Sequence, residues 1–340
     1  LKQQFLELSA RIGANHLLVQ GAGGNTSLKA GDTLFVKASG TWLSQALHPS
    51  IFVEMTTAGL LDCLEQGSEE FSNFLLESST QQVAKLRPSI ECLLHAVMPQ
   101  RVVLHVHSIS TITHVVQKAG EAEITRRLTG LDFAWVPYAR PGLPLAQWIA
   151  RNIKKIPQIL VLQNHGLVIA GETVTEAEAL LEECERRLVL SAESLASGDR
   201  SQQEEFAKRW GLRLPRFQEA HTLACAEEAQ AFLAAGILYP DQAVFLGPSF
   251  VSTGPGGDVA TILAERQASW GSLPPCLIVS GVGVFLTEAA RRGSDEMLLC
   301  HALILSRTVP GASYRSLSTE QILELIDWDA EKYRQSLNAV

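Results

Sequence analysis

None of the six cysteines forms a CxxC pair, which excludes a zinc ribbon and argues against a secreted disulfide framework. The thiols, at positions 63, 92, 184, 225, 276 and 300, are expected to be reduced and buried. Basic blocks are missing as well. Lys and Arg number 28 against 36 Asp and Glu, a net charge of −8, so nucleic acid is not an expected partner. No apolar run approaches the roughly 20 residues of a membrane span, and the opening residues lack the apolar core of a signal peptide. No membrane partner is expected, and the expected location is the cytoplasm. What is present is a chain of 340 residues, 46% of them hydrophobic, enough for a large core and two domains.

Apolar periodicity predicts an amphipathic helix from Leu1 to about Val19. It is followed by the glycine-rich GAGGNTS and a hairpin that turns at residues 30–32. Helical stretches are expected near Met55–Leu64 and Phe71–Leu76, and Ser89 after Pro88 reads as the N-cap of a helix ending at Pro99. The strand RVVLHVHS follows, then a helix from about Thr111, a weak strand near Phe133–Pro137, a helix over Leu145–Lys155, and the strand QILVLQ. Thr175 and Glu178 read as a capping box opening a long helix to about Ala196. The charged, glycine-flanked stretch after it is the expected domain boundary, giving domains 1–205 and 215–340. Beyond it, AVFLGPSF and CLIVSGVGVFL read as apolar strands, and helices are expected over Ser294–Ser306 and Thr319–Leu337, the last capped by Ser318 and Gln321. No internal repeat is visible.

The chemistry gathers around residues 91–107 and 165. His105 and His107 lie two apart on an apolar strand, so their imidazoles leave the same face. His165 follows a second strand, and Gly166 lets the backbone turn. Three imidazoles with an open fourth position form the arrangement of a catalytic zinc site. The alternative is core histidines satisfied by polar partners, and spacing alone leaves both open. Glu91 reads either as a carboxylate complementing a helix dipole or as a proton shuttle beside a metal. His95, at i+4 on the same helix face, reads as its structural partner. Cys92 has no basic neighbour in sequence and reads as packing.

GAGGNTS offers GxG without a third glycine and precedes a hairpin, so it does not fit the dinucleotide fingerprint. A small-anion site suits it better. Asn25, Ser27, Ser39, Gly40, Thr41 and Ser89 supply hydroxyl, amide and backbone N–H groups, and Lys37 supplies charge. Ordinary turn and capping chemistry is the alternative.

GGNTS, KASGT, PSIE four residues ahead of a His, HVH, and HG before a capped helix together resemble the class II aldolase/adducin family over residues 1 to about 205. The resemblance implies a three-layer α/β/α sandwich around a mostly antiparallel sheet, assembled as a homotetramer with active sites between subunits. It implies that His105, His107 and His165 hold Zn²⁺ or another divalent metal, that Glu91 is the catalytic acid/base, and that Asn25, Ser39, Gly40 and Ser89 hold a substrate phosphate. Ile90 stands where the family pattern has a second serine. The segment for the family's catalytic tyrosine is shortened, with Tyr138 the nearby candidate. The part from 215 resembles the region after the aldolase core of bifunctional rhamnulose-phosphate aldolase/alcohol dehydrogenases, as a second, smaller α/β domain, and no NAD site is expected.

The implied function is a zinc-dependent aldolase that cleaves a carbon–carbon bond of a ketose phosphate or related sugar acid through a metal-stabilised enediolate. A decarboxylase or epimerase using the same enediolate is one alternative, and a metal-free, adducin-like binding module is another.

Overall fold

The structure, a computed structural model, describes residues 1–48, 51–68, 86–309 and 311–338. It divides into two compact units, residues 1–115 with 119–189, and residues 116–118 with 190–340.

The first unit is built on seven strands, β1 (Asn25–Ala30), β2 (Thr33–Lys37), β3 (Phe52–Thr56), β4 (Val102–Val106), β5 (Phe133–Val136), β6 (Ile159–Leu162) and β7 (Gly166–Gly171). They lie in the order β3-β2-β1-β4-β7-β6-β5, antiparallel throughout except where β5 runs beside β6. Its helices are α1 (Lys2–Ala14), α2 (Thr57–Gln66), α3 (Cys92–Val97), α4 (Ile109–Val115), α5 (Gly120–Arg127), α6 (Leu143–Asn152) and α7 (Val174–Leu188).

Strand alternation sorts the side chains into two apolar layers. Val102, Leu104 and Val106 pack with Phe5, Leu8 and Ile12 of α1 and with Ala177, Leu181 and Leu188 of α7. Val103, Leu160 and Val168 pack on the other side with Leu94 of α3 and with Leu145 and Ile149 of α6. The sheet is therefore covered on both faces, the expected α/β/α sandwich. His105 and His107 share the parity of Val103 and belong to the face covered by α3 and α6.

The second unit contains α8 (Arg200–Trp210), α9 (Thr222–Cys225), α10 (Ala229–Ala234), α11 (Pro240–Leu246), β8 (Ser252–Thr253), α12 (Val259–Trp270), β9 (Cys276–Val279), β10 (Gly283–Leu286), α13 (Ser294–Leu305), α14 (Thr319–Ile326) and α15 (Asp329–Ser336). Its strands form a three-stranded sheet in the order β10-β9-β8.

Several local expectations are corrected. The opening helix stops at Ala14. Met55 lies in β3, and the helix near it starts at Thr57. α7 is capped by Thr173, whose side chain accepts from the Glu176 N–H, and it ends at Leu188. The cap is thus two residues earlier than the Ser/Thr spacing suggested. The charged stretch after it folds as α8, capped by Asp199 and closed by Gly211 in the left-handed region. AVFLGPSF is not a strand. Pro240 opens α11, all seven of whose residues are buried, and a helix buried all round has no period to distinguish it from a buried strand. The last helix breaks in two at Asp327–Trp328, although the Ser318/Gln321 capping box is present. Phe71–Leu76 lies outside the described residues.

An internal repeat is also present, contrary to the sequence reading. In the first unit β5 runs parallel to β6, with Trp135 opposite Val161 and Val136 opposite Leu162. In the second, β8 runs parallel to β9, with Ser252 opposite Ile278 and Thr253 opposite Val279. Every one of these positions is displaced by 117 residues. The hairpins repeat at the same displacement: Leu162 pairs with Gly166 and Ile159 with Ile169, as Val279 pairs with Gly283 and Cys276 with Leu286. So do the turn hydrogen bonds, Gln163 N–H to Val136 O and Ser280 N–H to Thr253 O, both 2.9 Å. The left-handed turn residue is Asn164 in one and Gly281 in the other. Few positions are identical, among them Leu160/Leu277, Gly166/Gly283 and Leu181/Leu298. Buried apolar residues substitute freely for one another when volume and pattern are kept, which hides the repeat from the sequence.

Candidate metal centre

β4 lies between β1 and β7, and its register places His105 opposite Asn25 on one side and Val168 on the other. Two glycines permit this close packing. A side chain at Gly24, at φ +57°, would meet the His105 carbonyl at 2.9 Å, and one at Gly166 would meet the Val106 carbonyl at 2.5 Å. Asn164, at φ 55°, completes the turn that presents His165.

His105, His107 and His165 converge, each buried, with ligand nitrogens within 4.8 Å of one another. It is the one group of three such side chains among the described residues that could hold a metal ion. Nε2 of His105 and Nε2 of His107 lie 3.1 Å apart, near the ~3.3 Å edge of a tetrahedron with zinc–nitrogen bonds of about 2.0–2.1 Å. His105 Nδ1 is 3.2 Å from the Leu167 carbonyl. That oxygen only accepts, so the neutral ring carries its proton on Nδ1 and turns the Nε2 lone pair inward. Gln20 donates to the His107 carbonyl at 3.2 Å and holds the end of β4.

Glu91 faces the same cluster. Oε2 is 3.3 Å from His105 Nε2 and Oε1 is 3.5 Å from His165 Nε2. Oε1 is buried without a hydrogen-bond partner, an orphan that a cation at the cluster would satisfy. A metal ion therefore fits the donor set.

Burial alone pushes the Glu91 carboxyl up, but positive charge on His105, His165 and His107 in their protonated, metal-free form, with a hydrogen bond from Asn25, outweighs it and holds the pKa at about 2. Asn25 Nδ2 donates to Glu91 Oε2 at 2.9 Å. Its Oδ1 accepts from His95 Nε2, and His95 Nδ1 is 2.7 Å from the Ser27 hydroxyl. Burial, with His105 adding to it, drives His95 down to about 3, so the ring is neutral. The chain Ser27–His95–Asn25–Glu91 then has one direction of donation throughout. His95 is thus the partner of Glu91 that the i+4 spacing suggested, but it acts through Asn25.

α3 differs from expectation. It starts at Cys92 with Glu91 as its N-cap, so Ser89 does not cap it. Residues 87–89 are still extended there: Ser39 N–H donates to Arg87 O at 2.9 Å and Ser89 N–H to Lys37 O at 3.0 Å. Ser89 Oγ accepts from the Glu91 N–H at 3.3 Å, forming a hydroxyl turn ahead of the helix. At the other end, Lys29 Nζ binds the Ala96 and Met98 carbonyls, which fixes α3 against β1. Lys29 and Gln20 were not singled out by sequence. Gln20 also donates locally, to the His16 carbonyl at 2.7 Å, but the contacts that fix α3 and the end of β4 span 67 to 87 positions, and no local signal marks such contacts.

Lys37, Ser39, Gly40 and Ser89 come together through the pairing of 37–39 with 87–89. Lys37 is 2% exposed, and Nζ donates to the Ala22 and Gly24 carbonyls at 3.0 and 2.9 Å. It braces the glycine-rich turn. Asn25 instead belongs to the Glu91 side. Tyr138 lies half-buried in the loop after β5, and Cys92 is fully buried with its thiol pushed up by desolvation, a packing residue.

Residues 3–190 match the family described as class II aldolase and adducin N-terminal domain. The chain is 30% identical over 183 residues to the uncharacterized oxidoreductase YuxG of Bacillus subtilis, a match covering 50% of this chain and 26% of that protein. It is 28% identical over 195 residues to methylthioribulose-1-phosphate dehydratase of Geobacillus kaustophilus, covering 50% of this chain and 92% of the relative. With L-fuculose phosphate aldolase of Methanocaldococcus jannaschii it shares 26% identity over 202 residues, covering 56% and 94%. The chain thus spans about a quarter of the first of these relatives and nearly the full length of the other two.

Proposed function

The chain belongs to the class II aldolase and adducin family, and on that premise we propose that it is a metal-dependent lyase acting on a ketose phosphate or a related sugar acid. The observation that carries this reading is the convergence of His105, His107 and His165 on the carboxylate of Glu91. All three imidazoles are retained, so the adducin-like, metal-free alternative is set aside.

The all-imidazole donor set suits Zn²⁺. A divalent cation held by His105, His107 and His165 would supply Lewis-acid chemistry to a bound carbonyl substrate. The remaining work falls to the protein's own side chains. Glu91 accepts the proton released when the carbon–carbon bond breaks and returns it to the enediolate carbon of the departing fragment. Asn25 and His95 keep the carboxylate turned toward the cluster. Burial of Glu91, 5% exposed, excludes water from the proton transfer. The hydroxyls of Ser39 and Ser89, with Gly40, receive the phosphate or carboxylate end, and Lys37 adds positive potential from behind the turn.

A decarboxylase or epimerase would employ the same groups. The feature that favours it is Ile90, which removes one hydroxyl beside Ser89 and leaves room for a carboxylate in place of a phosphate. The relatives' names also include a dehydratase, whose substrate is likewise a ketose phosphate.

The test is a coupled assay over phosphorylated sugars, free sugars and sugar acids, with products identified, before and after metal removal and restoration. Aldehyde release from a ketose phosphate, lost on chelation and reduced at least ~10²-fold in Glu91→Gln, is the expected result. Activity indifferent to chelation would sink the reading.

A further inference from the structure

The turn that carries His165 in the first unit has a counterpart 117 residues on, where Ser280, Gly281 and Val282 stand for Gln163, Asn164 and His165. Val282 is 2% exposed and packs with Leu277, Val279 and Phe285. The copy therefore keeps the hairpin turn that presents His165 and replaces its imidazole with a core side chain. On this same turn the second unit has a cavity of about 740 Å³, within the ~300–1,000 Å³ typical of small-molecule sites. Its wall includes Ser280 and Gly281 of the turn and Ser252 and Thr253 of β8, which correspond to Gln163, Asn164, Trp135 and Val136 of the first unit.

We propose that this cavity is a second, metal-independent binding site for an uncharged, hydroxyl-rich molecule of free-sugar or polyol size. The chemistry of the wall sets the class. Ser252, Thr253 and Ser280 offer hydroxyls that donate and accept, Gln230 adds an amide, and Phe250 gives an apolar ring face for C–H surfaces. No lysine or arginine is among the described residues that line it, and its one charged side chain is the carboxylate of Glu227. A phosphate would find no countercharge there and would be repelled, so the site discriminates against the anions expected at the first. Trp135, in the first unit, is replaced by Ser252, and Val136 by Thr253. Loss of a large ring opens space, and both exchanges put hydroxyls where the first unit has none.

The site does not depend on the proposed lyase reading, and its test separates the two. Glycerol, ribitol, D-glucose and L-fucose serve as neutral probes and ribitol 5-phosphate as an anionic one. Binding to the full chain is followed by saturation-transfer NMR and calorimetry, with and without a chelator. The polyols have no carbonyl to cleave, so turnover at the first unit does not interfere. At least one neutral probe is expected to bind, unaffected by chelation or by His107→Ala, and to lose affinity at least tenfold in Ser280→Trp, which fills the cavity from its exposed rim. Ser252→Ala, a milder change at the same wall, is expected to weaken binding about threefold while the thermal midpoint stays unchanged. Ribitol 5-phosphate should bind this site at least tenfold more weakly than ribitol. Binding of none of the neutral probes overturns the proposal. So does binding that survives both variants, or binding that vanishes on chelation, which would assign it to the histidine cluster.

Discussion

Asn25 faces His105 across the β1–β4 ladder, and from that position its side-chain amide donates to Glu91 at 2.9 Å. One residue thus connects strand register to the orientation of the candidate base. Asn25→Leu keeps the volume and removes both hydrogen bonds. We expect kcat to fall roughly tenfold, the effect of a hydrogen bond to a charged group worth about 1.5 kcal/mol, with metal content unchanged. Because the lost N–H had favoured the carboxylate anion, the acid limb of kcat/KM should also move to higher pH. Unchanged kcat and an unchanged acid limb would remove Asn25 from this role.

Metal content gives a second check. Purified protein is expected to carry one divalent ion per chain, and His107→Ala to lose most of it, because one of the three imidazoles that converge on the site is removed. Elemental analysis of both proteins decides this, and equal metal in each would strike His107 from the ligand set.

Gly166 offers a steric test. A Cβ there would sit 2.5 Å from the Val106 carbonyl and 3.4 Å from Cδ2 of His107, so Gly166→Ala must push β7 away from β4 or shift the ring. Overpacking of this kind costs about 1–3 kcal/mol. A lower thermal midpoint together with weakened metal binding is the expected pair of effects. A variant with normal midpoint and normal metal affinity would show that the strands move apart freely.

Acid stability is the last. In the second unit His301 is fully buried against Phe232 and Phe250, with ring centroids at 4.4 and 5.0 Å. Nδ1 is 3.3 Å from the Tyr239 hydroxyl, and Nε2 has no partner. Desolvation lowers its pKa to about 3. The folded state therefore refuses a proton that the unfolded chain takes up below its ordinary value near 6.5. Nothing is lost above that pH. As pH falls from about 6.5 towards 3, stability should drop by at most about 1.4 kcal/mol per pH unit from this group. Denaturant titrations at pH 7 and pH 5 should show a smaller loss in His301→Phe than in the wild type, and equal losses would count against the assignment.

How much of this was legible in the sequence depends on the range of the interactions involved. Period-two alternation in VVLHVH placed both imidazoles on one face, and the structure agrees, because alternation is a property of the strand backbone itself. The order of GGNTS, PSIE, HVH and HG pointed to the family and to the sandwich. Capping chemistry was read correctly at Ser318 and Gln321, where both partners lie within one turn. It failed at Thr175, where a closer threonine did the work, and at Ser89, where pairing of 87–89 with 37–39 overrode the local signal. Tertiary structure alone decided what long-range register controls: that His95 reaches Glu91 through Asn25, that Lys37 is spent on the carbonyls of Ala22 and Gly24, and that α11 is a helix. It also disclosed the repeat, since hydrogen-bond register survives substitutions that erase sequence likeness. Side-chain pattern is local and the chain carries it openly. Which distant groups come to lie opposite one another is fixed only when the strands pair.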